Sequence, residues 1–373
     1  MAKQGLHMLP PAVTMRQGLD LLSQITTIVN TIGELKSELK YSAVGSHLLS
    51  LLFLSESVQS TRIEGSQVTL SDMIDVQKDK RKQLELQEVI DYQLALNEGL
   101  KLIINEGLPF STRLITTLHS ILMNNARGTN SAKGEFRKIQ NFIGPDSKIE
   151  HAVYIPVPAN QISSYMENLE YYVNGVKHSS FNRQQEDMFV IDEQAHPILK
   201  LAVMHAQFES IHPFLDGNGR LGRILIALMA VKFGIVNDPI FLVSEELEKE
   251  RLRYYDFLNG VRGENPDWFT WLSFFLESTN RMSVFLLDKV RKIQQLATSG
   301  LHNCSTQYEE KAWLSTFANT SITAKLLSDS ENISIITARK ALNSLVNKKL
   351  LFCPESIIRN KPYINYDLIR LLK

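Results

Sequence analysis

Apolar positions recur about every 3.6 residues along most of the chain, which predicts a mainly helical protein. From about residue 17 to 57 the spacing is helical, and again over 84–106, where Leu86, Ile90, Leu94 and Leu100 are the main apolar positions. Ser111 reads as an N-cap for a helix whose Leu114, Leu118, Ile121 and Leu122 form one stripe. Ile162, Met166, Leu169 and Val173 mark a further helix. Two more run from about Pro197 to Ser210 and from about Gly219 to Phe233, the second with Leu221, Ile224, Leu225, Leu228 and Met229 facing a core and Gly234 as its stop. Residues 243–295 are again helical. Pro10 and Pro11 predict an extended lead-in. The helical pattern breaks over 134–158, where Gly144-Pro145-Asp146, Val153-Tyr154-Ile155, Pro156 and Pro158 predict a short hairpin or extended flap. From about 306 the order becomes helix, turn, helix, then short β-like pieces, the layout of a winged helix.

Composition narrows the class. The 373 residues suggest two or three domains and allow a sizeable core without staples. Hydrophobic residues make up 44% and charged residues 21%, ordinary for a globular protein, and 40 basic residues balance 40 acidic ones, so there is no overall polyanion-binding signature. Cys304 and Cys353 are too few and too far apart for a disulfide framework or a metal cluster. The first residues lack the apolar core of a signal peptide, and no run approaches 18 apolar residues. The expectation is a cytoplasmic protein that does not engage a membrane.

The chemistry concentrates in His212-Pro213-Phe214-Leu215-Asp216-Gly217-Asn218-Gly219-Arg220-Leu221-Gly222-Arg223. This string joins two apolar helices, so its backbone lies at a helix N-terminus. Gly217 and Gly219 remove Cβ atoms where a ligand needs close approach to the main chain. Consecutive N–H groups there form an anion-binding nest helped by the helix dipole. Asp216 is a hard oxygen ligand of the kind Mg²⁺ uses while it also binds phosphates. Arg220 and Arg223 share a face of the first turn and can grip two phosphates. His212, with an ordinary pKa of roughly 6.5, can accept a proton from a hydroxyl. Together they describe attack of a hydroxyl on a nucleotide phosphate. A polar interhelical turn with a capping Asp and a buried His is the plainer reading of any one of these residues, but not of all twelve.

The string matches the motif HPFx(D/E)GNGRxxR at every fixed position, and the chain resembles the Fic (filamentation induced by cAMP) family. Gly134-Glu135-Phe136-Arg137, Gln140-Asn141-Phe142-Ile143-Gly144, Tyr154-Ile155-Pro156-Val157-Pro158 and His205-Ala206-Gln207-Phe208-Glu209 extend the resemblance. It implies a Fic-fold helical bundle with a short β-hairpin flap and a C-terminal winged helix-turn-helix. It also implies AMP transfer from ATP to a protein hydroxyl, on another protein or on the chain itself. His212 would be the base, Phe214 a buried anchor and Asp216 the Mg²⁺ ligand. Gly217, Asn218 and Gly219 would bind the α- and β-phosphates, with a contact from the Asn218 side chain. Arg220 would hold the phosphates and Arg223 the γ-phosphate. The flap, with Ile143, Gly144, Tyr154, Ile155 and Pro156, would pair with the target main chain; its tip, Ser147-Lys148-Ile149-Glu150, is more polar than the family leads one to expect. Glycine at 219 favours nucleotidyl transfer over the phosphorylation carried out by a relative with lysine there. Ser60-x-x-x-Glu64-Gly65 matches the family's inhibitory helix, (S/T)xxxE(G/N). A Glu64 carboxylate paired bidentately with Arg223 would take the γ-phosphate's place, and Glu64 would also be placed to activate water, so that the same site removes AMP. On local pattern alone Glu64-Gly65 is a helix end with a glycine stop.

The resulting division is an N-terminal helical region over 1–107 with the inhibitory helix at about 50–66, a catalytic core over 108–240, a helical extension over 241–300 and a winged-helix-like domain over 301–373. The last holds 10 Lys and Arg against 6 Asp and Glu. Thr337, Arg339, Lys340 and Asn343 form the polar side of a recognition-type helix, and Lys348, Lys349, Arg359 and Lys361 are further candidates for phosphate contact. A DNA-binding regulator with a nucleotide-sensing core is therefore the alternative, and a homodimer, or a donor such as UTP, GTP or a choline nucleotide, stays open. His119, His151, His178 and His196 lack metal-ligand spacing and read as surface or core histidines. His205 reads as a supporting residue.

Overall fold

The structure, a computed structural model, describes residues 2–74, 83–124, 132–146, 148–181, 187–354, 356–357 and 359–372. Ser147, at the expected flap tip, lies outside them. The chain divides into two compact units. The first comprises Met1–Asn30, Glu56–Gln67 and Asp79–Met282; the second comprises Thr31–Ser55, Val68–Lys78 and Ser283–Lys373.

The expected helical stretch over 17–57 is two helices, α1 (Met15–Tyr41) and α2 (Gly45–Ile63). A short α3 (Leu70–Ile74) follows. In the first unit, α4 (Gln83–Leu100) ends in a π-turn over Lys101–Asn105, and α5 (Thr112–Leu122) begins where predicted, with the Ser111 side chain accepting the Leu114 N–H. Next come α6 (Ile162–Val173), α7 (Pro197–Ile211) and α8 (Asn218–Lys232). Pattern reading gave α8 a single apolar stripe, but α7 is buried from Ile198 to Ile211 and α8 at nearly every position to Ala230. Helices α4 and α5 pack on each other and on α8, and α6 and α10 pack on α7, so the two central helices have no solvent face and carry apolar side chains all round. The expected 243–295 stretch is α9 (Ser244–Lys249), α10 (Arg251–Gly260) and the start of α11 (Trp268–His302).

Four short strands frame this bundle. The lead-in residues form β1 (Lys3–Gln4) and β2 (Ala12–Thr14); the flap's exit is β3 (Tyr154–Ile155), and β4 is Met188–Val190. The flap closes through an antiparallel bridge, Ile143 to Tyr154, with a 3-10 turn over Ile149–His151 between its arms. Its outer neighbour was not foreseen: β1 runs parallel to β3, pairing Lys3 with Tyr154. Strand β2 pairs antiparallel with β4.

In the second unit, α12 (Gln307–Ser315), β5 (Ser321–Thr323), α13 (Ala324–Glu331), α14 (Ile335–Asn347), β6 (Pro362–Ile364) and α15 (Tyr366–Leu372) follow in order. Strands β5 and β6 pair, and Phe352 bridges to Ile364. On α14, Arg339, Lys340 and Asn343 are exposed, opposite buried Ala338, Ala341, Leu342 and Leu345. Lys348 is not free for phosphate: its ammonium holds Glu309 at 2.6 Å, the Asn303 carbonyl and Ser305 Oγ. Among the described residues, no helix is long and apolar enough to cross a membrane.

Candidate active site

The loop between α7 and α8 is held by its own side chains. His212 ends α7 with φ 49° and ψ 60°, the left-handed region that costs a non-glycine residue on the order of 1 kcal/mol or more. Arg137, almost fully buried, fixes it there. Its Nε donates to the His212 carbonyl at 3.0 Å, and its backbone N–H donates to Pro213 O at 2.8 Å. Its other nitrogens donate to Ile139 O and Val157 O, so the same side chain holds both arms of the flap. Phe214 is fully buried, stacked on the His119 ring at 3.7 Å, with Phe136 edge-on at 5.3 Å. His119 accepts the Gly134 N–H at Nδ1, so its proton sits on Nε2 and is donated to Asp216 O at 3.0 Å. It is a strut of the loop.

The predicted residues converge on the N-terminus of α8. Gly217 takes φ 77° as its N-cap, a left-handed conformation suited to glycine. The Asn218 side chain is bonded within the loop: its Oδ1 accepts the Phe214 N–H at 3.0 Å and its Nδ2 donates to Phe214 O at 2.9 Å. Arg220 is buried, with Nη2 3.7 Å from Met123 Sδ and Nη1 4.0 Å from Glu88. Asp216 Oδ1 accepts the Gly217 N–H at 2.6 Å and lies 3.8 Å from Arg220 Nη2, and the Asp216 side chain is about half-exposed. One half-exposed carboxylate beside an anion nest fits a Mg²⁺ that arrives with nucleotide phosphates, since that ion commonly takes one or two carboxylates. Among the described residues no group of three or more His, Cys, Asp and Glu could by itself hold a metal.

Helix α2 reaches this turn from the other side. It ends at Ile63, Gly65 takes φ 94°, and the glycine-stop reading therefore holds. The Glu64 carboxylate nevertheless lies on the first turn of α8, so close that a Cβ on Gly219 would collide with Glu64 Oε1. Oε1 accepts from Arg223 Nη2 at 2.6 Å. The pair is not the expected bidentate one. Arg223 turns its Nε to Ser60 Oγ at 2.8 Å, and Nη2 also donates to Ser60 O at 3.0 Å. Burial tends to raise the Glu64 pKa, but Arg223, then Arg220 and His212, outweigh it and hold the carboxyl below its ordinary value. Arg223 is 1% exposed; burial opposes its charge, and Glu64 more than restores it.

His212 Nδ1 lies 3.3 Å from Glu209 O, and a carbonyl only accepts, so Nδ1 carries the proton and Nε2 keeps its lone pair. Burial, then Arg262, push the His212 pKa down to about 4; the Glu209 carbonyl and Glu64 act the other way, and Arg137 adds to the lowering. The imidazole is therefore neutral at neutral pH. Sequence reasoning did not single out Arg262 or Glu56, nor Arg137 beyond its place in a matched string, and it read His119 only as a surface or core histidine. Their types carry no motif, although Glu56 stands four residues before Ser60 on the same helix and was open to a spacing argument.

This arrangement is a helical bundle whose central turn, from His212 to Gly219, joins two buried helices and leads into Arg220 and Arg223. A family model described as Fic/DOC family matches residues 109–230, and one described as Fic/DOC family N-terminal matches 23–101. The chain belongs to the Fic/DOC family. It is 24% identical over 204 residues to a protein adenylyltransferase Fic of Drosophila grimshawi, covering 53% of this chain and 36% of that one. It is 29% identical over 125 residues to the Drosophila melanogaster protein of the same description, covering 34% and 20%. It thus spans about a third or less of the length of these curated relatives. A Fic family protein from Desulfovibrio desulfuricans superposes with TM-score 0.54 at 20% identity, over 96% of this chain and 98% of that one. Fic-1 from C. elegans does so with TM-score 0.51 at 19% identity, over 74% and 75%.

Proposed function

We propose that the chain is a protein adenylyltransferase that moves AMP from ATP to a serine, threonine or tyrosine hydroxyl of a protein and is restrained by its own Glu64. The observation that carries this reading is the Glu64 carboxylate on the first turn of α8, paired with Arg223 beside Gly219. The chain places an anion of its own where the dipole, the glycines and a buried guanidinium all favour one. A terminal phosphate has the same needs, so the two exclude each other.

The chemistry follows from that exclusion. With Glu64 displaced, Arg223 holds the γ-phosphate, and the N–H groups of Gly217, Asn218 and Gly219, with Arg220, hold the inner phosphates. A target hydroxyl attacks the α-phosphorus. The new O–P bond forms as the bond to the β-phosphate oxygen breaks, pyrophosphate leaves, and the hydroxyl proton passes to His212 Nε2. A magnesium ion, held by Asp216 and the phosphates, would supply charge neutralisation when bound. The flap, with Ile143, Gly144, Tyr154, Ile155 and Pro156, is the surface on which a target strand would add.

The test is incorporation of label from α-labelled ATP. Glu64→Gly is expected to raise it at least tenfold over the unaltered protein, and adding His212→Ala to return it to background. Unchanged labelling in Glu64→Gly would remove the brake, and labelling that survives His212→Ala would remove the base. The DNA-binding alternative has less in its favour, since one of its candidate lysines, Lys348, is committed to Glu309.

A further inference from the structure

Arg262 stands just beyond α10 and is 5% exposed. No motif marks it, yet it meets two parts of the site at once. Its Nε donates to Ser210 Oγ at 3.1 Å and its Nη2 to the Glu209 carbonyl at 3.3 Å, both on the last turn of α7. Its guanidinium carbon lies 4.3 Å from the centre of the Tyr154 ring, in the flap. Tyr154 closes the triangle, because its hydroxyl donates to Ser210 O at 2.9 Å. The Glu209 carbonyl that Arg262 holds is also the acceptor of His212 Nδ1–H. The next residue, Gly263, donates its N–H to Gly5 O, beside the strand that pairs with β3.

We infer that Arg262 is a positioning residue that locks the flap to the base, its guanidinium spanning the last turn of α7 and covering the Tyr154 ring. The inference rests on the adenylyl-transfer reading for its meaning, though not for its test. A guanidinium stacked on an aromatic face and bonded at two nitrogens fixes direction as well as distance, which an ammonium does not. Two functions therefore separate. The fork and the ring contact set where the flap presents a target relative to His212. The positive charge adds to burial, the larger cause, in keeping His212 neutral, since Arg262 is the largest charged influence on that ring. The other charges facing His212 are Arg137, from the segment before the flap, and Glu64, from the end of α2.

The experiment uses the full chain carrying Glu64→Gly, with Arg262→Lys or Arg262→Gln added. Titration of the His212 ring by NMR reads the charge with no nucleotide present. Arg262→Gln is expected to move the His212 midpoint upward by about one pH unit, and Arg262→Lys to leave it within a few tenths. In AMP transfer, Arg262→Lys is expected to raise the KM for the protein target at least fivefold with a smaller change in kcat, and Arg262→Gln to shift the acid limb of kcat upward as well. A His212 midpoint unmoved in Arg262→Gln overturns the electrostatic half. An unchanged target KM in Arg262→Lys overturns the positioning half. If Arg262→Gln does not fold, the Lys variant still decides the second half, and its own His212 midpoint decides the first, since a shift there despite the retained charge would overturn it. Failure of the adenylyl-transfer reading looks different: no AMP transfer from the Glu64→Gly parent, with the NMR shift intact.

Discussion

At the scale of single residues, Gly219 is where brake and nucleotide compete for the same space. A methyl group at this position has no room while Glu64 lies on α8, because Oε1 occupies it. Gly219→Ala must therefore displace the Glu64 carboxylate, the far end of a flexible and partly exposed side chain, and weaken its pairing with buried Arg223, at a cost on the order of 1 kcal/mol. With Glu64→Gly already in place the closest obstruction is gone, leaving only Arg223 Nη1 at 3.1 Å from the added methyl, and alanine is the better helix former by about 1 kcal/mol. The expected result of a double-mutant cycle in denaturant is a coupling of at least about 1 kcal/mol, with Gly219→Ala destabilising only while Glu64 is present. Additive effects would show that the carboxylate does not rest on Gly219. The residues of the motif loop were legible in the sequence because they are contiguous and their types are chemically specific. Arg137, Arg262 and His119 were not singled out for roles. Each arrives from a distant part of the chain, and nothing about an arginine or a histidine in isolation says which carbonyl it will meet.

At the scale of elements, the C-terminal half of α2 carries a polar line that is itself buried at Glu56 and Ser60. Glu56, Ser60 and Glu64 follow one another at intervals of four residues, so they line up toward α8. Ser60 contributes through its hydroxyl, which accepts Arg223 Nε, and through its carbonyl. Ser60→Ala removes only the first and leaves a buried N–H without that partner, a loss of about 1–2 kcal/mol to the braked form. The expected outcome is partial release: AMP transfer from α-labelled ATP several-fold above the unaltered protein and well below Glu64→Gly. Transfer equal to that of the unaltered protein would mean that Ser60 merely packs. The helices themselves were readable from periodicity, because an amphipathic stripe is a local signal, and so was the cap at Ser111. The parallel pairing of β1 with β3 and the antiparallel pairing of β2 with β4 were not. Strands of two or three residues leave no alternation to detect, and each partner lies more than a hundred residues away. The break in helical pattern before the flap tip was legible only because Gly144-Pro145 punctuates it.

At the scale of the whole molecule, equal numbers of acidic and basic residues say nothing about pH, because the sensitive groups are the buried ones. Glu56 lies on α2 and Glu64 just beyond its end, and their shifts have opposite signs. Glu64 is held below its ordinary pKa by Arg223, so its stabilisation is present above the unfolded value of roughly 4.3 and is lost as the pH falls through its folded value. Mild acid should therefore not loosen the brake. Glu56 is 3% exposed and pushed up to about 7, first by burial, against the hydrogen bond it accepts from Ser244 Oγ and the charge of Arg223. A carboxyl raised in this way confers stability below its unfolded value and loses it as the pH climbs to about 7, after which the loss is complete. Glu209, also buried and pushed up to about 7, acts in the same direction. Glu56→Gln keeps an acceptor for Ser244 and removes the ionisation. Its melting temperature relative to the unaltered protein should rise between pH 5 and pH 7 and then level off, with a plateau difference on the order of 2 kcal/mol. Scanning calorimetry at pH 5, 6, 7 and 8 checks this: parallel curves for the two proteins would mean that Glu56 is already ionised at pH 5 and that its burial is compensated in full.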